Sequence, residues 1–165
     1  MAEPGAEGRD PGAVSAFVEG FAAQLVEAGM QRMPARVFVA LLASDSGAMT
    51  SAELGELLQV SPAAVSGAVR YLAQQHMVSR EREPGSRRER YRVQSNQWYE
   101  VLTNREAVIK RWERALREGV DGLGAETPAG RRLSETLAFF EFIEGEFAAV
   151  VERWRAHRDK TFGQG

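Results

Sequence analysis

Two helix-start signals lie close together near the middle of this chain, and they leave little choice of local fold. Thr50-Ser51-Ala52-Glu53 reads as a capping box. The Thr50 hydroxyl can accept from the Glu53 N–H while the Glu53 carboxylate reaches back to the Thr50 N–H. Ser61-Pro62 repeats the signal in another form, a cap residue followed by proline at the first helical position. Leu54, Leu57 and Leu58 form the inward side of the first helix. Val65, Ala68, Val69 and Leu72 form the buried stripe of the second, which should end near His76. Gln59-Val60 is left for the turn between them. Val78 to Glu83 and Arg88 to Val93 then read as two strands joined at Pro84-Gly85. In the second strand Arg88, Arg90 and Arg92 share one face, and Glu89, Tyr91 and Val93 the other. With a single strand rung at Ala48-Met49, these elements make a winged helix-turn-helix.

Apolar helices flank this domain. Val14, Phe17, Val18, Phe21 and Leu25 recur at helical spacing up to Gly29. Pro34 suits a first helical position, and Val37, Phe38, Leu41 and Leu42 follow it until Ser44-Asp45-Ser46-Gly47. A further helix begins near Asn96, carries Leu102, Ile109, Trp112, Leu116 and Val120, and is expected to end at glycines 119, 122 and 124. Thr127-Pro128 opens the last helix, expected to run to about His157. The fold class is therefore mainly α (α+β). The expected division is residues 1–12 as a disordered tail, 13–31 as an N-terminal dimerisation helix, 33–94 as the winged domain, 96–158 as a helical dimerisation region and 159–165 as a tail.

Charge is unevenly distributed. The chain carries a formal net charge of -2. Between Ser61 and Val93, however, seven Arg face three Glu, a net +4 that leaves -6 on the remainder. Such a segment suits the phosphate backbone of a nucleic acid; the plainer alternative is a solvated hairpin that uses charge to block edge pairing. The exposed face of the second helix offers Ala63, Ala64, Ser66, Gly67 and Arg70. Small residues let a helix enter the major groove deeply, Ala methyls can meet thymine methyls, and Arg70 is long enough to read guanine or to grip a phosphate. Gly67 inside a helix costs roughly 1 kcal/mol relative to Ala. Something should therefore approach closely there, either the DNA backbone or, the preferred reading, the preceding helix. The DNA-facing set is taken as Thr50, Ser51, Ser61, Ala63, Ala64, Ser66, Gly67, Arg70, Arg87, Arg88 and Arg90, with the tip residues Arg87 and Arg88 foremost.

Other functions find little support. There is no Cys, which excludes disulfides and thiolate metal sites. His76 and His157 are isolated, so no metal and no cofactor is expected, and no nucleophile–base constellation points to an enzyme. No apolar run reaches the roughly 20 residues of a membrane span. Residues 1–12 lack the apolar core of a signal peptide. A cytoplasmic protein is expected.

The order of elements and three local patterns, Thr50 to Leu54, Val60 to Leu72 and Val78 to Val93, resemble the MarR superfamily of transcription regulators, particularly its GbsR-like branch. The resemblance extends over Val14 to Trp154 as an architecture and is specific across Met33 to Val93. Ser86 stands where the family's wing carries an Asp before its Arg pair, so a wing-locking Asp–Arg bridge is not implied here. The resemblance implies a homodimer on a pseudo-palindromic double-stranded DNA site, acting as a repressor that a small-molecule effector releases. It assigns dimerisation to Phe17, Phe21 and Leu25 and to Leu133, Leu137, Phe140, Phe147, Val151 and Trp154, the alternative being a monomer whose terminal helices pack on its own winged domain. An effector pocket would draw on Phe38, Trp98, Tyr99, Trp112 and Phe139, with core packing as the alternative for each. The competing function is a winged-helix module whose partner is protein rather than DNA.

Overall fold

The computed structural model describes residues 10–82, 85, 88–93 and 97–163, apart from the side chains of 97 and 99–106. The elements run α1 (Pro11–Glu27), α2 (Arg32–Ala43), β1 (Ala48–Thr50), α3 (Ser51–Leu58), α4 (Pro62–Gln74), β2 (Val78–Arg82), β3 (Glu89–Val93), α5 (Gln97–Leu123) and α6 (Pro128–Phe162). They form two compact units, Met1–Val101 and Leu102–Gly165.

In the first unit α2 is the centre. Ala35, Val37, Phe38, Val39, Ala40 and Leu41 are all buried, as expected of a helix apolar on every side. Helices α1, α3 and α4 and strand β3 pack around it. Helix α2 starts earlier than Pro34 suggests. Gln31 precedes it without a side-chain cap, so Pro34 is the third residue and is buried. Proline is tolerated there because a first-turn N–H has no intrahelical partner to lose. Helix α1 also starts early. The Asp10 carboxylate accepts from the Gly12 N–H at 3.0 Å, and Pro11 takes the first position, inside the stretch expected to be a tail. Val18 and Ala22 bury its inner side.

Both local signals of the helix-turn-helix form. The Thr50 N–H donates to Glu53 Oε2 at 2.6 Å, and the Glu53 N–H donates to Thr50 Oγ1 at 3.2 Å. The Ser61 hydroxyl accepts from the Ala64 N–H at 3.3 Å. The three strands lie in the order β1-β3-β2, all antiparallel, with Thr50 opposite Arg90 and Arg80 opposite Tyr91. Strand β3 is one residue shorter than expected towards the tip, since Arg88 lies outside it, and the expected β2 end at Glu83 lies outside the described residues.

The second unit is a helical hairpin. Gly119 and Gly122 do not end α5; they lie within it, and Gly124, at φ +84, follows it. Gly119 is used for packing, since a Cβ there would come within 2.9 Å of Leu133 Cδ1. The Thr127 hydroxyl caps α6 by accepting from the Gly130 N–H at 3.0 Å. Trp112 and Phe140 meet edge to face at 5.6 Å. Lys110 pairs with Glu144 at 3.2 Å and Arg117 with Glu141 at 2.6 Å. Helix α6 continues past His157 to Phe162. No Gly or Pro interrupts residues 158–162, and the stop comes at Gly163, φ +77. Among the described residues no helix is long and apolar enough to cross a membrane.

The α5–α6 turn demands glycine at 130, where a Cβ would overlap the Gly124 carbonyl oxygen. Gly130→Ala is expected to destabilise the hairpin by about 2 kcal/mol or more. Gly122→Ala, where a Cβ meets nothing within 4 Å, should be neutral or stabilising. Urea unfolding of the two variants checks the contrast, and equal midpoints would contradict it.

Candidate nucleic-acid interface

Helix α4 has two unlike sides. Val65, Ala68, Val69 and Leu72 are buried. Ser61, Ala63, Ser66, Gly67 and Arg70 are exposed, and Ala64 is half-buried. The predicted small-residue face therefore exists as one surface, with Arg70 its one long side chain. The expectation that Gly67 serves packing against the preceding helix is overturned: a Cβ at Gly67 would meet nothing within 4 Å. The close approach belongs to Gly55 of α3, whose Cβ would lie 3.2 Å from the Val60 carbonyl oxygen.

The turn into α4 holds its shape through a left-handed residue, Gln59, at φ 53 and ψ 49. Its N–H and that of Val60 donate to the Glu56 and Gly55 carbonyls. The far end of α4 closes in the same way. His76, at φ 56, donates to the Ala73 carbonyl, and Met77 donates to that of Leu72. This is a left-handed helix cap built on histidine rather than glycine. The sequence places His76 at the helix end but carries no cue for its backbone conformation.

Arginines of the wing divide into two groups. Arg92 is held within the protein: its Nε pairs with Glu81 at 2.8 Å and its Nη1 donates to the Ser46 carbonyl at 2.7 Å. Arg90 is half-buried, with Nη2 donating to the Ala48 carbonyl at 3.3 Å and Nε buried without a hydrogen-bond partner. It thus ties β3 to β1 immediately before α3. Arg88 is exposed beside the tip, as are Arg80 and Arg82 of β2. Arg87 and Ser86 lie outside the described residues. Thr50 and Ser51 are half-buried at the start of α3, with the Thr50 hydroxyl committed to the cap.

Glu53 closes the cap of α3. Its carboxyl is held below its ordinary value, first by the backbone hydrogen bond from Thr50. Partial burial opposes this, while the Thr50 hydroxyl and the Arg90 and Arg88 guanidiniums assist it. One further residue was not singled out in the sequence. Arg36 of α2 donates from Nε to Glu19 of α1 at 2.7 Å and from Nη2 to the Leu58 carbonyl at 3.0 Å. Its signal was available: it is the only charged side chain between Met33 and Ala43.

The residues expected to form an effector pocket are divided between the two units. Phe38 is buried and meets Trp98 edge to face at 5.6 Å in the first unit. In the second unit, Trp112 and Phe139 both contact Phe140. The side chain of Tyr99 lies outside the described residues. A cleft of about 340 Å³ in the second unit is lined by Trp112, Ala115, Leu116, Leu133, Thr136 and Phe140. Of the residues expected to dimerise, Leu133, Leu137, Phe140, Phe147 and Val151 are half-buried, with Leu133 against Gly119 and Phe140 against Trp112 of the same chain. Phe17 and Trp154 are exposed, whereas Phe21 and Leu25 are half-buried. Helix α6 also exposes Phe139, Phe142, Ile143 and Val150.

Comparison with known proteins bears on both units. Residues 28–89 match the model of the MarR family, and residues 96–157 match that of an MmpR5-like MarR family transcriptional regulator. Neither describes a GbsR-like branch. Among solved structures, a transcriptional regulator is similar at 23% identity and a TM-score of 0.73, over 87% of this chain and 99% of that one. TrmBL2, an archaeal chromatin protein whose structure is described as showing a novel mode of DNA binding, is similar at 18% identity and a TM-score of 0.52, over 64% of this chain and 40% of that one. No curated protein matches the chain.

Because the Glu53 carboxyl is depressed, its contribution to stability is complete above the ordinary value of 4.5 and fades as pH falls through the lower folded value. Glu53→Gln is expected to make the acid limb of the stability–pH curve shallower. Thermal unfolding between about pH 3 and 6 reads this; limbs of equal steepness would mean that Glu53 carries no such linkage.

Proposed function

We propose that this chain, a MarR-family winged-helix protein by the family matches of both its halves, is a transcriptional regulator that lays α4 in the DNA major groove and grips the neighbouring backbone with its wing. The observation that carries this reading is the exposed face of α4, on which Ala63, Ser66 and Gly67 leave the helix backbone open and Arg70 supplies one long donor. Ala63 and Ala64 can contact thymine methyls, Ser61 and Ser66 can reach phosphate or base edges, and Arg70 can bind guanine bidentately. Thr50 and Ser51 would lie near the backbone at the start of α3. Arg87 and Arg88 are the wing's phosphate contacts. Arg90 contributes mainly by holding the wing, given its bond to the Ala48 carbonyl.

The regulator would act as a homodimer and a repressor. The exposed stripe Phe139, Ile143, Val150 and Trp154 along α6, together with Phe17 of α1, supports a seam between two copies. Leu133 and Phe140 would then serve the hairpin within each chain. Release by a small molecule is the finer part of the reading, supported by the apolar cleft beside Trp112 and Phe140. Adding aromatic compounds to the binding assay below checks it.

Selection of bound sites from random duplex DNA, followed by a salt titration, tests the proposal. Paired half-sites about one helical turn apart are expected. Affinity should fall steeply with salt, and Arg88→Ala should flatten the slope by about one phosphate contact. A folded protein with no DNA affinity at low salt would refute the reading and leave a protein-binding winged helix.

Gly67→Ala separates stability from binding. It is expected to stabilise the fold by up to about 1 kcal/mol, because the new methyl enters open space. It should nevertheless weaken DNA binding, because that space is where the groove comes close. Chemical denaturation and a binding titration on the same preparation read both effects, and unchanged or tighter binding would place the DNA elsewhere.

A further inference from the structure

Three elements of the first unit meet at one guanidinium. Arg36 lies in a stretch, Met33 to Ala43, with no exposed residue. Its side chain is 16% exposed and its Nη2 lies 2.6 Å from Glu19 Oε1 of α1, to which Nε also donates. The same Nη2 donates to the carbonyl of Leu58, the last residue of α3. That carbonyl is one of those a helix leaves without an intrahelical donor. The next residue is the left-handed Gln59, and Ser61 then caps α4. Arg36 therefore holds the turn that sets the direction of α4, while its other bond fixes it to α1.

A lysine could pair with Glu19, but its side chain is one bond shorter and carries one nitrogen; the planar guanidinium keeps Nε on the Glu19 carboxylate while Nη2 reaches the Leu58 carbonyl. On the other side, α1 is anchored by the buried Val18 and Ala22, so Glu19 moves with that anchored helix. A displacement of α1 must stretch the Glu19–Arg36 pair, drag the guanidinium off the Leu58 carbonyl, or move the turn. With the Arg36 backbone held still by a rigid, well-packed α2, such a displacement is taken up at the guanidinium and passed to its other acceptor, the Leu58 carbonyl.

We propose that Arg36 is a positioning residue that couples the pose of α1 to the pose of α4, so that any partner bearing on α1 is felt at the recognition helix. The functional arm of this inference rests on the DNA-binding reading above; the structural arm does not.

The test uses the full chain with Arg36→Gln, Arg36→Lys and Glu19→Gln, at a temperature where each is folded by circular dichroism. Amide exchange at Val60 and Val65 is measured relative to the slowest amides of α2, which report global opening. DNA affinity and its salt slope are measured alongside. Arg36→Gln is expected to speed exchange at Val60 and weaken DNA binding, each by about tenfold. The salt slope should stay unchanged, because Arg36 touches no phosphate. Glu19→Gln, a change on α1, should move both in the same direction by less. Arg36→Lys should restore the stability lost in Arg36→Gln but not the protection of Val60. The inference is overturned if Arg36→Gln only lowers thermal stability while exchange and affinity of the folded protein stay at wild-type values. It is equally overturned if the Glu19→Gln effect stops within α1. Should Arg36→Gln not fold, the other two variants carry the same readouts. If the wild type binds no DNA, the DNA-binding reading falls and the exchange result alone decides this one.

Discussion

Burial of α2 on every side is the constraint from which the first unit follows. Its Val, Phe and Leu side chains, each worth roughly 1.5–3 kcal/mol when fully buried, can leave water only if neighbours cover the whole circumference. Helices α1, α3 and α4 and strand β3 supply that cover. Each neighbour thereby commits one face inward. For α4 that face is Val65, Ala68, Val69 and Leu72, and the opposite face is left to solvent as a consequence. The surface read as DNA-facing is thus the remainder of a packing solution, and its small residues are tolerated because nothing of the protein needs to rest on them.

Charge inside this arrangement is used structurally more than the net +4 of the segment suggests. Arg92 spans Glu81 and the Ser46 carbonyl, and Arg90 reaches the Ala48 carbonyl. Both pin β3 to its neighbours. Arg36 does the same for α1, α2 and α3. A guanidinium suits these places because it stays charged and offers several donors in one plane, so it can satisfy carbonyls that strand and helix ends leave open. Among the described residues, the cationic side chains exposed near the wing are Arg80, Arg82 and Arg88.

What was legible in the sequence was local chemistry. Thr50-Glu53, Ser61-Pro62 and Thr127-Pro128 each encode a cap within four residues, and each forms. What was not legible depends on distance or on partners. The bonds of Arg36 reach 17 and 22 residues along the chain. Its isolation in an apolar run marks it as paired without saying with what. The stripe from Leu133 to Val151 has the periodicity of an interface, but periodicity identifies a covered face without naming what covers it. Part of the cover comes from Gly119 and Trp112 of the same hairpin. The glycines of α5 misled for a related reason. Glycine ends a helix by adopting positive φ, as at Gly124, or admits a neighbour within one, as at Gly119, and composition does not distinguish these uses.

The same ambiguity decides how much weight Gly67 can bear. Gly20, Gly122 and Gly145 also lie inside helices with nothing near their absent Cβ. Openness alone therefore does not mark a site. What sets Gly67 apart is its company: Ala63 and Ser66 lie on the same exposed face, so the lack of bulk extends over successive turns rather than one residue. One open glycine costs helix stability and changes little else. A contiguous small-residue face lets another surface approach the helix backbone along its length, with the long, exposed Arg70 at its far end. The closeness that this face permits is geometric, so it is useful only if α4 is held at a fixed angle. The cap at Ser61, the left-handed Gln59 and the Leu58 carbonyl bound by Arg36 meet that requirement at the helix's leading end.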